Sequence, residues 1–213
     1  MLLSHKTSVK ICPEYSNIIG HMCYAASKLW NVCNYERRHY KELGMEKYPD
    51  WYYQKKAHKG NLWYKQLPSQ TAQETCKQLD KAWRSFYVLK KTGGIKDPNP
   101  PRFKQDNIPV TYMQMGIRHE KGSDQLRLSL SKDLKNYMEE AYGIHEKFLY
   151  LENKIFRNMD HIKQLRLYPP EDGKCDLIVI YEVKEPEPLF QNDHYLSCLL
   201  YTSPSPRDRQ KSR

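Results

Sequence analysis

The sequence predicts an α+β fold: a small β-domain interrupted after its first strand by a helical insertion. Three observations carry this. A strand-like stretch opens the chain, and two long stretches of helical periodicity follow it. After a Gly/Pro break at 92–101, the apolar pattern alternates with the period of two that marks strands.

Residues 2–11 (LLSHKTSVKI) alternate in part and are closed by Pro13. A long helix is expected from Glu14 to Leu43, with Gly44 as its stop. Ile18, Ile19, Met22, Cys23, Ala26, Leu29, Trp30 and Cys33 share one helical face. Tyr24, Lys28, Asn31, Tyr35 and Arg38 take the other. Residues 44–68 read as irregular, with Pro49, Gly60, Pro68 and the aromatic-basic run WYYQKK at 51–56. A second helix is expected over 69–91. Ser69 is one candidate N-cap, and Thr71 with Glu74 has the capping-box spacing as well. Its buried stripe is Ala72, Cys76, Leu79, Trp83 and Phe86. Gln70, Gln73, Lys77, Lys81 and Arg84 gather opposite, as either a solvated or a contact face.

TGGIKDPNPP at 92–101 ends the helical segment. QLRLSL at 125–130 alternates as a strand, and a short helix is expected over 131–141. IKQLRLY (162–168) and CDLIVIYEV (175–183) flank a hairpin turn at Asp172-Gly173. KEPEP at 184–188 is a stiff linker. The expected layout is therefore a first strand in 1–13, a helical insertion in 14–98, the rest of the β-domain in 99–190, and a tail in 191–213.

The chain has 213 residues and a net charge of +10, unevenly spread. Residues 1–110 hold 19 Lys/Arg against 9 Asp/Glu, while 111–197 hold 12 against 15. A basic front half rich in tyrosine and tryptophan points to a polyanion partner, nucleic acid first. No apolar run reaches the roughly 20 residues that span a bilayer, and no signal-peptide core is present, so a cytoplasmic, reduced setting is expected. The six cysteines form no CxxC pair, so neither a disulfide framework nor a zinc site is expected. No phosphate loop, nucleophile motif or paired-carboxylate constellation marks a self-contained enzyme. Glu139-Glu140 reads as a helix surface and Asp172-Gly173 as a turn.

LPSQ at 67–70, LDKAWRSF at 79–86, PPRFK at 100–104 and YEVKEPEP at 181–188, in that order and spacing, resemble the N-terminal region of OrfB/TnpB proteins of bacterial insertion sequences. The resemblance covers residues 5–197. It implies a split β-barrel "wedge" domain with a helical recognition domain inserted after its first strand. It also implies RNA-guided DNA cleavage, in which base pairing reads the target and the protein reads a short duplex motif beside it. The implied partners are a guide RNA and double-stranded DNA, and no membrane. The oligomeric state is not legible.

Carried over residue by residue, the LPSQ helix start and its polar stripe match the part of the family that approaches the duplex motif. Ser69, Gln70, Gln73 and Lys77 are the candidates there, with Lys81 and Arg84 further along. Amides read adenine edges and lysine holds phosphate. Tyr52 or Tyr53 is a candidate base or sugar contact. PPRFK places Arg102 and Lys104 where a guide-RNA backbone would lie, with Phe103 expected in the core between them. Arg37 and Arg38 are candidate backbone contacts.

In the family, Mg2+ serves the RuvC-like nuclease domain and Zn2+ a zinc ribbon. Both are expected to lie beyond this sequence, so no cofactor, metal ligand or catalytic residue is expected in it. After NDHYLS at 192–197 the chain runs into CLLYTSPSPRDRQKSR, which resembles an in-frame translation of a transposon-end sequencing adaptor. Residues 198–213, Cys198 included, are expected to be foreign and disordered. The chain is then expected to bind nucleic acid without cutting it. Two other readings stay open: a stand-alone DNA-binding regulator of helix-turn-helix type, and a basic module that binds something other than nucleic acid. The spacing counts against the regulator, since roughly 25 residues separate the two long helices where that motif needs 3–4.

Overall fold

The computed structural model describes residues 1–93 and 95–184. Strand β1 (Leu2–Lys10) is followed by helices α1 (Pro13–Arg38), α2 (Trp51–Ala57), α3 (Leu62–Lys65) and α4 (Ser69–Thr92). Then come β2 (Val110–Met113), β3 (Ile117–His119), β4 (Gln125–Ser129), α5 (Lys132–Tyr142), β5 (Phe148–Glu152), β6 (His161–Leu167) and β7 (Lys174–Glu182). The expected tail, 191–213, lies outside the described residues, as does the 184–188 linker apart from Lys184.

The chain is α+β, and its strands form two antiparallel sheets. One runs β1-β7-β6-β2 and the other β3-β4-β5, with no closed barrel among the described residues. β1 pairs with β7 from Leu2↔Glu182 to Lys10↔Lys174, so the first strand lies beside the last described one. The helices are thus inserted between two strands of a single sheet. The β6–β7 hairpin turns through Asp172 (φ 47°) and Gly173 (φ 70°). Two positive φ values in a two-residue loop match the right-handed twist of the strands, which is why Asp-Gly serves there. Cys175, Leu177 and Val179 alternate into the core, as do Leu165 and Leu167 of β6. A register shift between Ile162 and Gln164 interrupts the ladder.

Helix α1 opens on Pro13 in its first turn, where a missing N–H costs nothing, and ends with Arg37 and Arg38 in its last. It stops at Arg38, short of the expected Leu43. Leu43 is exposed and offers no apolar contact to hold a further turn. Gly44, at φ 70°, closes a turn and caps no helix.

The 44–68 stretch, expected to be irregular, holds two short helices. Asp50 caps α2 by accepting from the Tyr53 N–H at 2.7 Å, and Asn61 caps α3 by accepting from the Trp63 N–H at 2.9 Å. Neither candidate side chain caps α4. Pro68 occupies the N-cap position, its carbonyl accepts from the Ala72 N–H at 3.0 Å, and Ser69 is already helical. Gly93 ends α4 in the left-handed region at φ 67°. Ser131 caps α5, accepting from the Leu134 N–H.

Ile18, Ile19, Met22 and Leu29 of α1, Leu79 of α4, and the inward rows of both sheets belong to one apolar core. Among the described residues no helix is long and apolar enough to cross a membrane. No three or more His, Cys, Asp and Glu side chains among them are grouped to hold a metal.

Candidate nucleic-acid interface

A helix of 24 residues needs one apolar stripe to stay in place. In α4, Ala72, Cys76, Leu79 and Trp83 supply it, and the opposite face is left to polar groups. The stripe is locked by a buried polar network. Arg37 of α1 donates through Nη1 to Asp80 Oδ1 at 2.9 Å and through Nε to Gln54 Oε1 at 2.8 Å. Gln54 donates to the Cys33 carbonyl at 2.8 Å and to Glu36 at 2.7 Å. Burial pushes the Glu36 carboxyl up, but hydrogen bonds from His58 and Gln54 and the charges of His58 and Arg37 outweigh it. The group therefore sits below its ordinary value. Trp83 Nε1 donates to Asn34 at 2.9 Å, which ties α4 to α1 a second time.

This network corrects one expectation. Arg37 is not a surface cation. It is buried, and its guanidinium is engaged by Asp80 and Gln54, so it has no free face for a phosphate. An arginine in the last turn of an amphipathic helix reads as exposed in sequence. Only the arrival of Asp80 from a distant segment makes it a core residue.

The start of α4 borders two clefts. The larger, about 620 Å³, is lined by Ser69 and Gln73 together with Lys59, Lys65, Ser131, Lys132 and Asp133. Three lysines from three segments meet there beside an α4 N-terminus that no side chain caps. The positive end of the helix dipole adds to the lysines in favouring an anion, while Asp133 offsets one of their charges. The smaller cleft, about 220 Å³, is lined by Ser69, Gln70, Thr71, Tyr112, Met115 and Gly116 among others. Gln70 donates to the Met115 sulfur at 3.0 Å, while its carbonyl oxygen and the Thr71 hydroxyl are buried and have no hydrogen-bond partner among the described residues. A Cβ on Gly116 would stand 3.0 Å from the Tyr112 ring, so glycine lets the loop close on that wall.

One turn along, Lys77 lies over the Trp51 ring at 5.0 Å and pairs with Glu74 at 2.7 Å. Lys55 lies over both Trp51 and Tyr52, and Lys56 over Tyr52, all within 4.3–4.6 Å of a ring centre. Tyr52 and Tyr53 are each about half exposed. Aromatic faces ringed by lysines can both stack on a base and hold its phosphate. Lys81 and Arg84 continue the exposed face, Arg84 tethered to Asp80 at 2.7 Å.

The PPRFK segment lies along α1 as a strap. Trp30 Nε1 donates to the Arg102 carbonyl at 3.1 Å, and Asn34 and Arg38 donate to the Pro101 carbonyl. Asn31 bonds both the N–H and the carbonyl of Lys104, at 2.7 and 2.8 Å. Helix side chains thus hold the strap's backbone and leave Arg102, Phe103 and Lys104 exposed. Phe103, expected in the core, is 42% exposed with Arg38 over its ring at 4.9 Å.

The structure therefore joins Ser69, Gln70 and Gln73 at the start of α4, and sets Lys77 over Trp51, the neighbour of Tyr52, on the adjoining face. Arg38, Arg102 and Lys104 form a separate strip on α1. Lys59, Lys65 and Lys132 do not stand out in sequence. Lys132 is brought in only by the packing of α5, and no local pattern foretells that. Compared with models of protein families the sequence matches none, and compared with curated proteins it matches none.

Proposed function

We propose that this chain binds nucleic acid: a guide RNA along the Arg38–Arg102–Lys104 strip, and target-adjacent double-stranded DNA at the start of α4. In this reading it is the N-terminal part of an RNA-guided endonuclease of the OrfB/TnpB kind. The two sheets would correspond to that family's split barrel, and α1 to α4 to its inserted recognition domain. Binding, not cleavage, is the activity assigned to these residues.

One observation carries the reading: Lys59, Lys65 and Lys132 outnumber the one carboxylate, Asp133, in a cleft they line with Ser69 and Gln73 at the start of a helix that no side chain caps. Phosphates bring the counter-charge, and the amides of Gln70 and Gln73 suit base edges.

A stand-alone helix-turn-helix regulator is the second reading. The three residues between α3 and α4 favour it, because that is the length of such a turn. Against it, α3 is a single turn of four residues.

The test is titration of the chain with a labelled duplex and with a structured RNA over a salt series. Affinity for each should fall steeply and log-linearly as salt rises, as counterion release requires. Affinity that is absent, or insensitive to salt, would refute nucleic-acid binding.

A further inference from the structure

We propose that the outer face of the β3-β4-β5 sheet is a second binding site, for a single-stranded segment of RNA. Its phosphates would lie on Arg118 and Arg127 and a base on Tyr150. The inference deepens the proposed function and rests on it only in that the chain binds RNA.

The register builds the face. Arg118 stands directly opposite Arg127, and Arg127 directly opposite Tyr150, so the three form one row across three strands. The alternate residues Ile117, Leu126, Leu128, Leu149 and Leu151 are buried, which turns this row outward. Two arginines facing each other on adjacent strands repel, and such pairs weaken a sheet. Among the described residues no carboxylate comes within ion-pair distance of either guanidinium. Glu120 lines the same cleft without forming an ion pair, so a phosphate seated between the guanidiniums would relieve the repulsion further.

The aromatic half of the face is also in place. Arg127 lies over the Phe148 ring at 4.6 Å, and Phe148 meets Tyr150 edge-on with centres 6.4 Å apart. Tyr150 is 37% exposed and lines a cleft of about 340 Å³ with both arginines, Gln125 and Glu120. A sheet that offers an aromatic ring between cations is suited to unstacked bases joined by phosphates, and a duplex presents no free base face to it. Glu120 favours ribose over deoxyribose. A carboxylate repels phosphate but accepts a hydrogen bond from a 2′-hydroxyl.

The experiment is fluorescence anisotropy of the full chain with labelled short oligouridylate and its deoxy counterpart, across a salt series. Circular dichroism verifies that each variant is folded. Arg118→Ala with Arg127→Ala should reduce the salt slope for the RNA by about 1.4, at roughly 0.7 per phosphate. Tyr150→Ala should weaken RNA about tenfold at unchanged slope, and Tyr150→Phe should restore it. The deoxy strand should bind more weakly than the RNA.

If the native chain binds neither RNA nor duplex, the proposed function fails and this site with it. If it binds RNA but the arginine and Tyr150 variants bind equally well, only this site is overturned. Equal binding of the two strands overturns the assignment to RNA. Binding of poly-glutamate as tight as that of RNA, and indifferent to Tyr150→Ala, makes the face a peptide site and overturns it too.

Discussion

Arg37 on α1 and Asp80 on α4 form an ion pair inside the protein, 2.9 Å from Nη1 to Oδ1, with 1% and 7% of their side chains exposed. The pair clamps the helix that carries the candidate interface to the helix that carries the strap. Losing the Asp80 charge strands Arg37 in the core, whereas losing Arg37 leaves Asp80 still paired with Arg84 at 2.7 Å. Asp80→Asn should cost about 3–5 kcal/mol of stability, and Arg37→Met less, because Arg84 still neutralises Asp80. Arg37→Met with Asp80→Leu should cost clearly less than the two single losses added, as read by urea unfolding. A surface role for Arg37 would instead show as weaker nucleic-acid binding at unchanged stability.

Lys77 is shared between Glu74 and the Trp51 ring. Glu74→Gln frees its charge, so duplex binding should tighten. Lys77→Ala should lower the duplex salt slope by about 0.9, the value for one phosphate. A Lys77→Ala slope equal to that of the native chain would take Lys77 out of the interface.

Gln70 and Gln73 are assigned to base edges. Gln70→Ala and Gln73→Ala should therefore flatten sequence preference more than total affinity, each erasing about 1–3 kcal/mol of discrimination at one base pair. A panel of duplexes substituted one pair at a time reads this. Uniform weakening across the panel would make the amides phosphate ligands only.

Asn31 holds both backbone groups of Lys104. Asn31→Ala leaves them to water, so the strap should loosen and trypsin should cut after Arg102 and Lys104 faster than in the native chain. Arg102→Ala and Lys104→Ala should each lower the salt slope for RNA by about 0.7. Cleavage rates equal in the native and Asn31→Ala chains would mean that other groups hold the strap.

Glu36 has its folded-state pKa depressed below the ordinary 4.5 by its partners. Between those two values the unfolded chain binds more protons than the folded one, so stability rises with pH across that window. The contribution is complete above about pH 4.5 and is lost as pH falls through the folded value. Glu36→Gln should reduce the acid sensitivity of unfolding below about pH 4.5. An unchanged pH dependence would mean that other carboxylates account for it.

The order strand, helices, strands was legible because each class has its own apolar period. The Asp172-Gly173 hairpin was legible because two adjacent positive φ values demand such residues. Helices α2 and α3 were not, since seven and four residues give no periodicity to count, although Asp50 and Asn61 after Pro49 and Gly60 are caps in plain view. Strands β2, β3 and β5 are three to five residues long, and their apolar alternation is too brief to stand out.

At the candidate site, the polar stripe of α4 followed from helical spacing. The burial of Arg37, the exposure of Phe103 and the arrival of Lys132 depend on distant packing. So does the facing pair Arg118 and Arg127, which exists only once β3 and β4 are in register.

The central claim is that the start of α4 is where the duplex binds. The most direct test is the salt dependence of duplex affinity for the native chain and for a variant in which Lys59, Lys65, Lys77 and Lys132 are all alanine, with folding verified by circular dichroism. The slope of log affinity against log salt should fall by about 3.6, at 0.9 for each phosphate no longer neutralised. A folded variant with the native slope and affinity would place the duplex elsewhere and contradict the account.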